Sequence, residues 1–145
     1  MVDASISEKS GWTFLWENDF LKLFHHDNLN MGICVVSKEY IPISEFKSAF
    51  LKAAEFAEQK KWEGFVFDKS ALTTFHQPSM EWYYTSWKES LLQYGLKKHY
   101  KILPPAPWFK TSVDAGIEEI KSKNPDFDFT KFKVTYIDSV KELEK

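Results

Sequence analysis

The run Gly64-Phe65-Val66-Phe67 constrains this chain more than any other stretch. Four residues without a polar side chain are too few for a buried helix, and they suit a strand covered on both faces. Amphipathic stretches lie on either side. From Glu45 to about Lys60, residues Phe46, Ala49, Phe50, Ala53 and Ala57 recur at three- and four-residue spacing. That spacing predicts a helix with one buried stripe, and Ser44 stands where a cap is needed. From about Ser79 to Tyr94, residues Met80, Tyr83, Tyr84, Trp87, Leu91 and Tyr94 share one side of a second helix, which Gly95 stops. Trp82 falls about 200° round the wheel from Met80 and is expected outside the stripe. A short apolar strand between two such helices is the core of a βαβ unit.

The rest of the chain extends this pattern. Trp12 to Trp16, Phe20 to His25 and Met31 to Val36 read as strands of two hairpins, with turns at Glu17-Asn18-Asp19 and Asp27-Asn28-Leu29-Asn30. Tyr100, Ile102 and Leu103 suggest another strand. Pro104-Pro105-Ala106-Pro107 is a stiff lead into a third helix that carries Phe109, Val113, Gly116, Ile117 and Ile120. Phe132, Val134 and Tyr136 alternate in a last strand, and Ser139 with Glu142 forms a capping box for a short terminal helix. The expected fold is α/β, a single-layer mixed β-sheet with amphipathic crossover helices. Residues 1–145 make one domain of ordinary size, with 1–10 as a loose N-terminal tail.

Composition excludes several classes. All 19 basic residues are Lys and the net charge is −2, so the chain lacks both the planar fork that reads guanine and a basic block. Nucleic acid is not an expected partner. No stretch approaches the roughly 18 apolar residues of a membrane span, and the first nine residues lack a signal-peptide pattern, so a cytoplasmic protein is expected. Cys34, the one cysteine, cannot form an internal disulfide and lies in an apolar run. The glycines at 11, 32, 64, 95 and 116 form no phosphate loop, and no cofactor is expected. Aromatic residues reach 17%, more rings than one core readily uses, so an aromatic-lined pocket is one outlet.

Four residues draw attention as a binding surface: Asp68, His76, Ser79 and Trp82. Asp68 ends the apolar strand, where α/β sheets bind ligands, and the other three follow in the loop and helix. His76 and Ser79 have the chemistry of a base and a nucleophile, with Asp68 to orient them, but no Gly-x-Ser-x-Gly elbow supports a hydrolase. The plainer roles are that Asp68 binds loop amides, Ser79 caps the helix, Glu81 complements its dipole and His76 is solvated. An exposed Trp82 would serve a partner or a second copy, unless a neighbouring element covers it. His25 and His26 face opposite ways in a strand and cannot share a metal, so no metal site is expected. His99, beside Lys97, Lys98 and Lys101, reads as part of a solvated strand edge.

The order of elements, with the stretch Trp62-Glu63-Gly64-Phe65-Val66-Phe67-Asp68-Lys69-Ser70-Ala71-Leu72-Thr73-Thr74-Phe75, resembles the STAS-like, SpoIIAA-like small domains of bacteria. The stretches Tyr94 to Ile102 and Val134 to Val140 are similar to that family's later elements. The resemblance implies a STAS/SpoIIAA-like fold without catalysis, and a role in binding a protein. In some members a Ser at the helix opening accepts phosphate, which would make Ser79 the phosphoacceptor. The Asp-Ser-Ser-Gly-Leu-like motif that carries it is absent, and ungapped counting from Asp68 puts Gln77 in its place. The expected function is therefore a binding or protein-interaction module, homodimeric or with another partner. The alternatives are a small enzyme using Asp68 and His76 for acid–base chemistry, and a binder of a small apolar ligand.

Overall fold

A computed structural model describes residues 11–143, so the expected tail at 1–10 lies outside the described residues. Six strands form one sheet whose spatial order follows the chain: β1 (Trp12–Glu17), β2 (Leu21–His26), β3 (Met31–Val36), β4 (Gly64–Asp68), β5 (Lys98–Ile102) and β6 (Lys133–Tyr136). β1, β2 and β3 are joined as antiparallel hairpins, and β3 to β6 are mutually parallel. This is the mixed sheet that the hydrophobic pattern predicts. Every residue of β4 is buried, as its apolar run requires.

Helices make each parallel crossover. α1 (Ile43–Lys60) buries the expected stripe of Phe46, Ala49, Phe50, Ala53 and Ala57. Its cap position is Pro42 rather than Ser44, so the helix begins two residues sooner, where the extended geometry of Pro42 gives way to the first turn. The second crossover is a composite rod: α2 (Gln77–Trp82), a π-helical turn over Tyr83–Lys88, α3 (Glu89–Leu91) and a 3₁₀ turn over Leu92–Tyr94. Gly95, at φ 86°, supplies the left-handed stop. α4 (Pro107–Lys123) buries Phe109, Val113, Gly116 and Ile120.

All three crossovers cover the same face of the sheet. Leu21, Leu23, Cys34, Phe65 and Phe67 point into that layer and pack with Phe50, Tyr83, Trp87 and Phe109. Phe50 is fully buried among the rings of Phe65, Phe67, Tyr83 and Trp87, and such burial contributes about 1.5–3 kcal/mol per large side chain. The opposite face gathers Trp12, Met31, Ile33, Val35, Val66 and Ile102 with Ile137 and Val140. Val140 belongs to a 3₁₀ turn over Val140–Leu143, where Ser139 N–H donates to Glu142 as the capping box predicts.

The hairpin half closes around Trp62. A Cβ on Gly32 would come within 2.2 Å of the Trp62 ring, so only glycine lets the indole lie across β3. Trp62 Nε1–H donates to His25 Nδ1 at 2.8 Å, and His25 Nε2 meets Asp27 at 2.8 Å. His26 lies on the other face against Trp12, as strand alternation requires. Among the described residues no group of three or more His, Cys, Asp or Glu could hold a metal, and no helix is long and apolar enough to cross a membrane.

Candidate functional site

The carboxyl ends of β4 and β5 open into a cavity of about 50 Å³ on the helical face. Its walls come from four directions. Phe67 and Lys69 come from the end of β4, Lys101 from β5, Tyr40, Ile41 and Phe46 from the approach to α1 and its first turn, and His76, Ser79, Met80 and Tyr83 from the cap and body of the composite rod. Phe109 of α4 closes the side. A broader groove of about 540 Å³ runs over the ends of β5 and β6 past Ser70, Lys110 and Tyr136, and Lys101 borders both spaces.

The expected surface residues divide between places. His76 and Ser79 do come together at the cavity: His76 Nδ1 meets Ser79 Oγ at 2.8 Å and also accepts from Ser79 N–H at 3.3 Å. His76, not Ser79, is therefore the cap of α2, and the helix begins three residues sooner than a Ser79 cap would place it. The imidazole is half-buried and hydrogen-bonded rather than free, and Ser79 is buried inside the first turn.

Asp68 belongs elsewhere. Strand alternation sends Phe65, Phe67 and Lys69 toward the helices, and Asp68 away from them beside Val35. Its Oδ1 accepts from Ser70 N–H at 3.0 Å and Ser70 Oγ–H at 2.7 Å, the loop-binding role that its position suggests. Asp68 thus does not orient His76.

Trp82 does not stand bare, as the wheel had placed it. It is partly buried against Phe46, ring centroids 6.0 Å apart, with Lys47 Nζ 5.7 Å above the indole. The start of α1 covers it, which is the neighbouring-element outcome. Glu81 pairs with Lys123 at 3.7 Å, across to α4.

Three lysines give the site a character that hydrophobic periodicity does not reveal. Lys69 continues β4 by one residue, its N–H donating to Ile102 O at 2.8 Å, so its side chain follows Phe67 on the helical face. Lys101 lies in register with Phe67, and His99 with Phe65. The expected solvated edge is therefore wrong: β6 pairs beyond β5, β5 is an interior strand, and His99 and Lys101 are both 1% exposed. Lys88 is drawn in by the π turn, which buries Tyr83, Tyr84, Trp87 and Lys88 together. An i→i+5 turn holds one residue more than an α turn, and such bulges are frequent at functional sites.

These cations have thin compensation. Lys101 Nζ donates to Tyr84 Oη at 2.6 Å. Lys88 Nζ makes no hydrogen bond and lies 4.0 Å from the Tyr84 ring centroid and 4.9 Å from that of Tyr83. Lys69 Nζ sits over Phe67 and Phe109 at 5.2 and 5.7 Å. Burial lowers the Lys69 pKa to about 8. Burial, followed by the repulsion of Lys69, holds Lys88 well below its usual range, and burial with the charges of Lys88, Lys69 and Lys110 does the same to Lys101. His99 is likewise held well down, first by burial and then by Lys88 and Lys101. Neither His99 nitrogen has a hydrogen-bond partner, and its ring stands between Trp87 and Phe132.

Comparison of the chain with family models, curated proteins and solved structures finds no match.

Proposed function

We propose that this protein is a non-catalytic, STAS-like binding module that takes a small, largely apolar molecule at the ends of β4 and β5. The observation that carries the reading is the cavity itself. Phe46, Phe67, Phe75, Met80, Tyr83 and Phe109 converge on it, and few polar groups join them. Binding sites are concave and mostly apolar with a small number of placed polar groups, and this is the aromatic-lined outlet that the composition suggests. The element order and the Trp62 to Phe75 stretch favour the STAS-like assignment. The acid–base alternative loses support because Asp68 points to the opposite face from His76. The partner-contact reading loses the bare Trp82 on which it rested.

Met80 lines the cavity and Met31 lies on the other face, so two methyl groups report on the two faces. Titration of the protein, labelled at the methionine methyls, with neutral indole should shift Met80 saturably and leave Met31 in place. No Met80 shift up to the solubility limit of indole would sink the binding reading.

A further inference from the structure

The like-charged lysines in an apolar cavity ask for a specific complement. We infer that the ligand carries a carboxylate, seated between Lys69 and Lys101, with its apolar body against Phe67, Met80 and Phe109. This rests on the cavity reading above and adds the chemical class of its ligand.

Charge distribution is the first support. The chain holds 21 acidic residues and is net negative, yet none of those described pairs with Lys69, Lys88 or Lys101. The titratable groups that line the cavity with Lys69 are Lys101 from β5, Tyr83 from the π turn, His76 before α2 and Tyr40 before α1, and Lys88 lies close enough for the two amines to repel. No carboxylate is among them. Buried charges are ordinarily paired, and here the described pairing options are a phenol and aromatic rings. An anion brought by the ligand would relieve both the desolvation and the mutual repulsion that weigh on these ammonium groups.

Size and shape narrow the class. At ~10–15 Å³ per enclosed water, the 50 Å³ cavity holds about three to five waters' worth of space. That corresponds to ~100–150 Å³ of liquid, the scale of a benzoate or a short-chain acid rather than a long lipid. A phosphate suits the site poorly. The chain has no Arg for bidentate capture, and the cavity walls are mainly side-chain hydrocarbon and ring.

Benzoate and its neutral isostere benzamide provide the test, each titrated against the Met80 methyl at pH 7 and pH 9.5. Benzoate stays ionised throughout, so a change with pH reports on the protein. Benzoate should bind at least about tenfold more tightly than benzamide at pH 7, as one net favourable charge contact implies. That advantage should shrink by about tenfold at pH 9.5, because Lys69 has then lost its proton. Lys69→Met should bring benzoate down to the level of benzamide, and the pH comparison on the unaltered protein decides even if that variant fails to fold. Equal affinities for the two at pH 7 would overturn the carboxylate inference and leave the cavity reading standing. Absence of binding by both probes would overturn the two together.

Discussion

The hairpin half and the parallel half of the sheet treat buried polar groups in opposite ways. In the hairpins, His25 has both ring nitrogens engaged, by Trp62 and Asp27. In the parallel half, the still more deeply buried His99 has neither nitrogen engaged, and Lys88 beside it has no hydrogen bond. Both histidines are pushed down by burial, but for His25 the Asp27 carboxylate opposes the push, while for His99 two lysines add to it. A satisfied buried group positions structure, and an under-satisfied cluster is a departure from local consistency of the kind found at working sites. The contrast fits a structural role for the hairpin end and is what the proposed ligand site at the other end would require.

The strongest way to break this contrast is to remove the cation that has least to hold it. Lys88→Met should raise unfolding free energy by about 1–3 kcal/mol at pH 7, since a hydrophobe of similar length replaces a buried amine that has no hydrogen-bond partner. Urea denaturation would measure it, and a destabilised variant would mean that Lys88 is well compensated where it sits. The opposite sign is expected in the hairpins. His25→Phe should cost about 1–3 kcal/mol, because Trp62 Nε1–H is left without an acceptor in the core. A neutral His25→Phe would erase the distinction.

The smallest effect is a pH slope. His99 has a folded pKa below its unfolded value, so the unfolded chain binds more protons as pH falls below about 6.5. Stability should therefore drop on that limb, and His99→Phe should make it shallower. Identical slopes for the variant and the unaltered protein, from thermal melts between pH 7 and pH 5, would show that His99 takes up its proton in the folded state.

What the sequence made legible follows from which physical rule each residue obeys. β4, α1 and α4 obey one period each, and their buried positions could be named from spacing alone. Ser79 was misread because a Ser near a helix start is commonly a cap, while the ring nitrogen of His76 does the same work three residues earlier. The helical wheel assumes 3.6 residues per turn, and the π turn breaks that assumption between Tyr83 and Lys88. At 100° per residue Lys88 sits about 80° from Met80, at the margin of the apolar stripe, where a lysine would be expected to reach out to water. Lys69 and Lys101 had a readable signal. Once Phe65 and Phe67 face the helices, alternation carries Lys69 to that face, and an interior parallel strand leaves Lys101 no solvent. Charge had stood for exposure, and that association outweighed the pattern.

The order of the sheet bears on how the domain is made. Because β1 to β6 are neighbours in chain order, each strand leaving the ribosome finds its partner already in place. No strand waits for a partner beyond its chain neighbour, which keeps the contact order as low as a sheet with parallel crossovers permits. The hairpins and α1 can thus gather before the composite rod and β5 dock. Lys88 and Lys101 are enclosed only where the rod, β5 and the approach to β6 meet, with Tyr83 and Tyr84 beside both and Phe132 beside Lys88. The desolvation of the cationic cluster thus belongs to the assembled sheet and rod together, and to neither element alone.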